Sequence, residues 1–279
     1  MLARGTGLLA EALAQRRAIP AFTTYTFEST RAVCEAARRT GLPVILAAGS
    51  SSFRAAGREP LAAATLAAAH ASPGAIGVHL DHATELAEIG ACIDLGYSSV
   101  MIDGSALPFE ENVAVTRAVV ERAHAAGAWV EGELGGMGGD EDRSSEAEAR
   151  ERTDPGQAAE FIERTGVDAL AAAVGTVHGY TSRPVHVDVE RLAAVRAATG
   201  VPLVLHGASG LSDAELQAAV AAGVAKVNVN AELRRAYLDA LRAALAEDDD
   251  SVPRVQERTV AAMAEVAAGR LAVLAGLAT

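Results

Sequence analysis

The sequence predicts an α/β fold, a single (β/α)8 barrel with extra helices after its last strand. Eight short apolar runs alternate with longer Ala-rich amphipathic stretches along the chain. Glycines fall where the amphipathic stretches should end, and 279 residues suffice for one barrel of about 250 residues. Repeated strand–helix alternation favours a parallel sheet, and eight units close naturally into a barrel.

Local signals support each element. The predicted strands are the apolar runs over residues 18–22, 43–47, 75–80, 98–102, 128–133, 168–174, 201–205 and 225–229. Predicted helices lie between them over 28–40, 84–95, 109–126, 155–165, 188–199 and 212–222, and two more follow residue 231. Helix starts are marked by Asp154 before Pro155 and by a capping-box pattern from Ser212 to Glu215. Helix ends are marked by Gly41, Gly96, Gly127, Gly166, Gly200 and Gly223.

A doubly wound open sheet is the competing arrangement. Such a sheet usually carries a Gly-rich fingerprint after its first strand, and the AFTT run at 21–24 offers none. No linker divides the chain, so one domain is expected over residues 1–279. The segment 135–153 is Gly-rich and then highly charged, which is typical of a solvated loop or of an active-site lid.

Charge and cysteine content limit the expected partners and location. Lys and Arg total 24 against 36 Asp and Glu, a net charge of −12 that disfavours binding to nucleic acid or anionic membranes. The uncharged stretch 61–80 contains Pro73 and Gly74, which favours helix, turn and strand over a membrane span. Cys34 and Cys92 form no disulfide framework, and the first residues lack the apolar core of a signal peptide. A cytoplasmic protein with a small-molecule partner is therefore expected.

Histidines and carboxylates occur where the predicted strands end, which is where barrels of this kind place their active sites. The histidines and carboxylates that end five consecutive strands are Asp81, His82, Asp103, Glu133, His178 and His206. Three neutral imidazoles with carboxylates nearby describe a catalytic Zn²⁺, or another divalent metal, with an open coordination position. This inference depends on the barrel, because the ligands are far apart in sequence.

The remaining histidines and the single lysine suit other roles. His70, His79 and His124 fall within predicted helices or strands and are interpreted as structural, whereas His186 lies in a loop with no evident partner. Lys226 is the sole lysine of the chain and hence the sole candidate for a Schiff base. An ion pair with an interior carboxylate is the preferred interpretation of Lys226.

Two loops have the pattern of phosphate sites. The runs HGASG at 206–210 and NVNA at 228–231 each lead into a predicted helix. Loops after the last two strands of such barrels often bind phosphate through backbone N–H groups. Gly179, directly after His178, allows another close backbone approach. Tight turns alone would explain the same glycines.

Five stretches resemble the class II, metal-dependent ketose-bisphosphate aldolases, the fructose- and tagatose-bisphosphate aldolase type. They are HLDHATELAEIGACIDLGYSSVMIDGSALPFEENV (79–113), EGELGGMGGDED (131–142), TGVDALAAAVGTVHGY (165–180), VPLVLHGASG (201–210) and GVAKVNVNAEL (223–233). The resemblance implies a TIM barrel that forms a homodimer or homotetramer. It implies Zn²⁺-dependent, reversible retro-aldol cleavage of a phosphorylated ketose to dihydroxyacetone phosphate and an aldehyde. A monovalent cation is admitted as a second cofactor.

The resemblance also assigns residue roles. The matched ligands of the metal and of a second or alternative metal position are His82, His178, His206, Asp103 and Glu133. Asp81 would be the acid/base at the C4 hydroxyl, and Glu141 would help to move the C3 proton. The positions that match a dihydroxyacetone phosphate site are Gly179, Gly207, Ala208, Ser209, Asn228, Asn230 and Ala231. Arg258 would reach a distal phosphate, often across a subunit boundary.

Departures from the family pattern fall on substrate-holding positions. Where the family usually has AFN, Ser, HGGSG and NVNT or NVAT, this chain has Thr23, Gly49, Ala208 and Ala231. Ala208 fits only if its backbone needs no positive φ, and Ala231 lacks a hydroxyl for phosphate. The intact metal and acid/base positions favour an active aldolase over a non-catalytic sugar-phosphate-binding barrel. A related lyase acting on another phosphorylated sugar or sugar acid stays open.

Overall fold

Eight parallel strands close into a barrel in the computed structural model, which describes residues 1–136, 138–139, 151–179, 185–247 and 250–277. The barrel strands are β1 (Ile19–Thr23), β2 (Val44–Ala48), β3 (Ile76–Ala83), β4 (Ser99–Ile102), β5 (Trp129–Leu134), β6 (Ala169–Ala172), β7 (Leu203–Leu205) and β8 (Val224–Val229). Neighbours in the chain are neighbours in the barrel, and β8 returns to β1 with Ile19 opposite Lys226. The predicted (β/α)8 barrel is confirmed.

Helices surround the barrel and extend beyond its last strand. They are α1 (Gly7–Ala14), α2 (Phe27–Thr40), α3 (Ser50–Ala56), α4 (Arg58–Ala71), α5 (Leu86–Leu95), α6 (Phe109–Ala125), α7 (Pro155–Thr165), α8 (Val189–Thr199), α9 (Asp213–Ala221), α10 (Ala231–Ala246) and α11 (Val252–Leu274). The Asp154 side chain accepts a hydrogen bond from the Gln157 N–H, and Ser212 and Glu215 form the predicted capping box. The last two helices are the predicted C-terminal additions, and α11 packs against α2 and α10.

Helix α1 closes the amino-terminal end of the barrel. Leu9 and Ala12 are buried against residues at the beginnings of strands, among them Ile19, Trp129 and Ala225. The sequence pattern did not predict this helix. It has eight residues and no side-chain cap, so its burial stabilises it more than any local signal does.

Side chains alternate between the two faces of each strand, as a sheet requires. On β5, Val130 and Leu134 belong to the core between the barrel and its helices, whereas Trp129 belongs to the barrel interior. Glu131 and Glu133 share the inward parity of Trp129 and are buried. The interior therefore changes from apolar to charged towards the carboxyl end of the strand.

The chain after β6 differs from the prediction. The predicted strand 168–174 ends at Ala172, and a separate two-residue strand, Val177–His178, pairs in parallel with Gly138–Gly139. His178 thus lies on this short pair, beyond the barrel itself. The stretch 61–80 divides as predicted, because α4 ends at Ala71 and β3 begins at Ile76. Among the helices in the described ranges, none combines the length and apolar character that a bilayer crossing requires.

Candidate metal centre

A bulge at the end of β3 turns two successive side chains towards the same site. The pairing of β3 with β4 shifts register between Leu80 and Ala83, and His82 has a left-handed backbone with φ +46°. This interruption of the alternation lets both Asp81 and His82 face the barrel mouth. A non-glycine residue held there costs on the order of 1–3 kcal/mol, which the surrounding fold must supply.

Three histidines from separate segments converge at this mouth. His82, His178 and His206 offer ring nitrogens that all lie within 4.8 Å of one another. Nε2 of His82 and Nδ1 of His206 are 2.7 Å apart. Burial, together with the charges of His82 and Lys226, keeps the pKa of His206 well below its usual value. A neutral imidazole offers the lone pair that a divalent metal needs, so the donor set fits one.

A side-chain hydrogen bond and a close backbone approach join the segments that carry His178 and His206. The Thr176 hydroxyl donates to the carbonyl oxygen of His206 over 2.8 Å. Gly207 has φ +64°, and a Cβ atom there would lie 2.5 Å from the carbonyl oxygen of Val177. Only glycine allows this approach.

Two carboxylates form a second group with His82. Its Nδ1 lies 3.5 Å from Oδ2 of Asp103 and 3.9 Å from Oε2 of Glu133. Ser105 donates its N–H and its hydroxyl to Oδ1 of Asp103, over 3.1 and 2.7 Å. Burial and the charge of Asp103 raise the pKa of Glu133 to about 8. For Asp103 itself, hydrogen bonds from His82 and Ser105 outweigh burial and lower the pKa.

The buried Asp81 carboxylate is fixed by an amide. Nδ2 of Asn228 donates to both carboxylate oxygens of Asp81, over 3.1 and 3.0 Å. Burial alone would raise the pKa of Asp81, but the charges of His82 and Lys226 outweigh it and hold the pKa below its usual value. Asp81 is therefore an oriented carboxylate beside the three histidines.

The single lysine is an interior charge partner, as the sequence indicated. Lys226 is fully buried, and its Nζ lies 2.8 Å from Oε2 of Glu131. Glu131 was not among the predicted site residues, although its inward parity with Glu133 on β5 could have identified it. Its other oxygen contacts Nε2 of His206 at 2.7 Å.

Three of the other histidines have local partners. His79 stacks on Trp129 and bonds Ser99 Oγ through Nδ1 over 2.9 Å, which suits its predicted structural role. His124 contacts Asp168, and His186 contacts Glu215, each at 2.8 Å. The partner of His186 was not evident from the sequence.

Apart from Arg258, the predicted substrate positions lie on segments around the same mouth. The structure explains two of the departures from the family pattern there. The non-glycine residues with positive φ in the described ranges are Arg16 and His82, so Ala208 is unstrained. A Cβ atom at Gly49 would lie 2.8 Å from the carbonyl oxygen of Asp81, which leaves no room for serine.

Three further predicted substrate positions lie on segments around this mouth. Gly179 follows His178, Ser209 lies on the loop after β7, and Ala231 begins α10. The Asn230 side chain bonds the hydroxyl of Tyr25, a contact that the sequence did not predict.

The last two predicted residues are Glu141 and Arg258. Glu141 lies outside the described residues. Arg258 lies on α11 outside the barrel, where its guanidinium forms a bidentate ion pair with Glu247 over 2.7 and 2.9 Å. Its role at a distal phosphate stays a prediction.

Fold and site together define a (β/α)8 barrel with a cluster of potential metal ligands at the carboxyl ends of its strands. Comparison with known proteins narrows this class. The family model for class II fructose-bisphosphate aldolase matches residues 3–276. The chain therefore belongs to this metal-dependent lyase family, and the resemblance predicted from the sequence is confirmed.

Solved structures agree with the family assignment. The X-ray structure of the YdjI aldolase from Escherichia coli K12 is 32% identical, with a TM-score of 0.89 over 98% of this chain and 97% of that one. A putative fructose-1,6-bisphosphate aldolase from Coccidioides immitis is also 32% identical, with a TM-score of 0.90 over 97% and 96%. The fructose-bisphosphate aldolase of Campylobacter jejuni, 24% identical over 98% and 95%, shares the fold with a TM-score of 0.84.

Proposed function

We propose that the protein is a zinc-dependent aldolase that reversibly cleaves a phosphorylated ketose to dihydroxyacetone phosphate and an aldehyde. The observation that carries this proposal is the convergence of three histidines beside an oriented carboxylate. His82 and His206 have ring nitrogens 2.7 Å apart, and Asp81 adjoins His82 at the bulge of β3. A fructose- or tagatose-bisphosphate type of ketose is the proposed substrate class.

His82, His178 and His206 would hold the metal. When bound, the ion supplies Lewis-acid stabilisation for the negative charge that cleavage leaves on the C2 oxygen of the ketose. Asp103 and Glu133, which share His82 with the first group, would serve a second or alternative position. A carbonyl-activating lysine is not needed, and Lys226 is already engaged by Glu131.

Proton transfer is assigned to this chain's carboxylates. Asp81 accepts the proton of the C4 hydroxyl while the C3–C4 bond breaks and the C4 carbonyl forms. Asn228 keeps the carboxylate of Asp81 turned towards the mouth. The electron pair of the broken bond passes to the three-carbon fragment, which takes a proton at C3. Glu141 is proposed to carry that proton.

Backbone donors would hold the phosphate of the dihydroxyacetone end. The loop from Gly207 to Ser209 and the first turn of α10 supply N–H groups at the mouth, and helix N-termini favour anions. Ala231 adds no hydroxyl, so this site binds phosphate more weakly than one with threonine there. Such local donors must act against the net charge of −12.

We also propose a cytoplasmic homodimer or homotetramer in which Arg258 of one subunit serves the distal phosphate of its neighbour. The Arg258 side chain is 37% exposed on α11 and is held by Glu247. Light scattering gives the subunit number. Arg258→Met should raise KM for a bisphosphate substrate and leave KM for a monophosphate unchanged.

Metal analysis combined with a cleavage screen tests the proposal. The protein is stripped with a chelator, reloaded with Zn²⁺, Mn²⁺, Co²⁺ or Mg²⁺, and assayed on ketose monophosphates, ketose bisphosphates and phosphorylated sugar acids. Cleavage that follows metal content, and that is lost in His206→Asn, supports it. His124→Asn is the matched control, because His124 lies on α6 with Asp168 as its partner. Tight binding of sugar phosphates without cleavage by any metal form would overturn it.

A further inference from the structure

The fully buried Lys226 connects the two functional parts of the site. Its Nζ is 2.8 Å from Oε2 of Glu131, 2.7 Å from Oδ1 of Asn228 and 4.0 Å from Oδ1 of Asp81. A buried ammonium is stable only when it is paired and hydrogen-bonded. Lys226 meets that requirement through Glu131, which contacts His206, and through Asn228, which contacts Asp81.

The first branch runs to His206. Oε1 of Glu131 lies 2.7 Å from Nε2 of His206. An ionised carboxylate only accepts hydrogen bonds, so Nε2 carries the proton and Nδ1 keeps the lone pair. Nδ1 is the atom 2.7 Å from Nε2 of His82. A carboxylate partner of this kind fixes the tautomer and ring orientation of a ligating histidine.

The second branch runs to Asp81. An ammonium only donates hydrogen bonds, so the amide of Asn228 must turn its oxygen to Lys226 and its nitrogen to Asp81. The reverse orientation would place the amide NH2 against the ammonium, donor against donor, and the amide oxygen against the carboxylate, acceptor against acceptor. Lys226 therefore decides which way Asn228 points and, through it, how Asp81 is held.

The same ammonium explains a third cluster of potential ligands. His79, Asp81 and Glu131 offer atoms within 4.8 Å of one another deep in the barrel. Lys226 Nζ contacts both carboxylates of this group, at 2.8 and 4.0 Å. The lysine supplies the positive charge that a metal ion would otherwise provide there.

We propose that Lys226 is a positioning residue that sets the ligating tautomer of His206 through Glu131 and the orientation of Asp81 through Asn228. This inference rests on the proposed function for its catalytic consequence. Its effect on metal binding is independent of the substrate. Loss of either branch should lower metal affinity or kcat by about 10–100-fold, the usual range for partners of metal ligands.

Two variants separate positioning from mere charge balance. Lys226→Met removes the ammonium and leaves Glu131 uncompensated, whereas Lys226→Met combined with Glu131→Gln removes both charges. We expect the double variant to regain thermal stability but to keep a metal dissociation constant and a kcat at least about tenfold worse than wild type, with KM within about twofold. Leu170→Ala, a buried position on the outer face of β6, is the control for lost stability alone. Wild-type metal affinity and kcat in the double variant would overturn the proposal.

A measurement on the wild-type protein avoids the risk that a variant fails to fold. Because the chain has one lysine, ¹⁵N-lysine labelling yields a single Nζ resonance. Titration of Zn²⁺ into the stripped protein should shift that resonance with the same dissociation constant that calorimetry gives. A resonance unmoved at metal saturation would overturn the proposal. If the Nζ resonance shifts with Zn²⁺ but the wild type cleaves no ketose phosphate, the proposed function is wrong and this inference still holds.

Discussion

At the amino-terminal end of the barrel the interior is apolar, whereas at the carboxyl end it is charged. Ile19, Trp129 and Ala225 pack under Leu9 of α1 at the first end. The buried polar groups of the second end include His79, Asp81, Glu131, Glu133, His206 and Lys226. A single strand shows the change, since β5 presents Trp129, Glu131 and Glu133 in succession.

The apolar end stabilises the fold, whereas the charged end carries the residues of the proposed chemistry. Apolar burial contributes roughly 25 cal/mol per Å² without directional demands. Buried charges must each find a partner, and an ion pair of this kind is often no more stabilising than apolar side chains of the same volume. Burial energy alone therefore does not account for these buried charges or for the strained backbone of His82, and the proposed function assigns both to the chemistry of the site.

Substitution of a charged residue at the carboxyl end of the barrel gives the largest expected effect on activity. Asp81→Ala should lower kcat by about 10²–10⁴-fold, the usual range for a general acid/base, while the metal content stays at the wild-type level. Steady-state kinetics with elemental analysis of the same sample measures both. A parallel loss of metal and activity would mean that Asp81 supports the metal ligands.

The apolar end should show the opposite behaviour. Leu9→Ala removes a fully buried side chain of α1 from the amino-terminal end of the barrel interior. It should lower the free energy of unfolding by about 2–5 kcal/mol. Metal affinity and kcat should remain at wild-type levels below the melting temperature. Denaturant unfolding and kinetics on one preparation test this, and a large fall in kcat of the folded protein would show that the two ends are coupled.

Gly207, where the two histidine segments approach each other, should affect both stability and metal binding. Gly207→Ala places a Cβ atom against the Val177 carbonyl at a φ of +64°, which should weaken Zn²⁺ binding as well as cost on the order of 1–3 kcal/mol of stability. Gly41→Ala is the control, because Gly41 has φ +69° and an open surrounding. Calorimetric titration should find weaker binding only in the first variant. Equal Zn²⁺ affinity in both would contradict the role of Gly207.

The smallest effect concerns the phosphate position. A hydrogen bond to a charged group contributes about 1.5–3 kcal/mol, so Ala231→Thr should raise kcat/KM for a C1-phosphorylated ketose by about tenfold or more. Metal binding should not change. Ala231→Val, with the shape of threonine and no hydroxyl, is the control. If the wild type prefers an unphosphorylated donor and threonine brings no gain, the phosphate site is vestigial.

Much of this contrast could be predicted from the sequence, because strand parity and strand ends are local patterns. Asp81, His82 and His206 follow their predicted strands directly. The bulge that turns His82 inward, the short strand carrying His178 and the plug formed by α1 depend on tertiary contacts, and no local pattern encodes them. Glu131 shares the inward parity of Glu133, but its pairing with Lys226 could not be predicted, because the two residues lie on strands far apart in the chain.

The central claim is that the histidine centre activates the substrate and that the buried lysine does not. One measurement tests it directly: cleavage of the best ketose phosphate with and without chelator, followed by borohydride treatment and mass spectrometry of the intact chain. We expect chelation to abolish cleavage, Zn²⁺ to restore it, and borohydride to add no mass. Chelator-resistant cleavage with a reduced substrate adduct on Lys226 would contradict it.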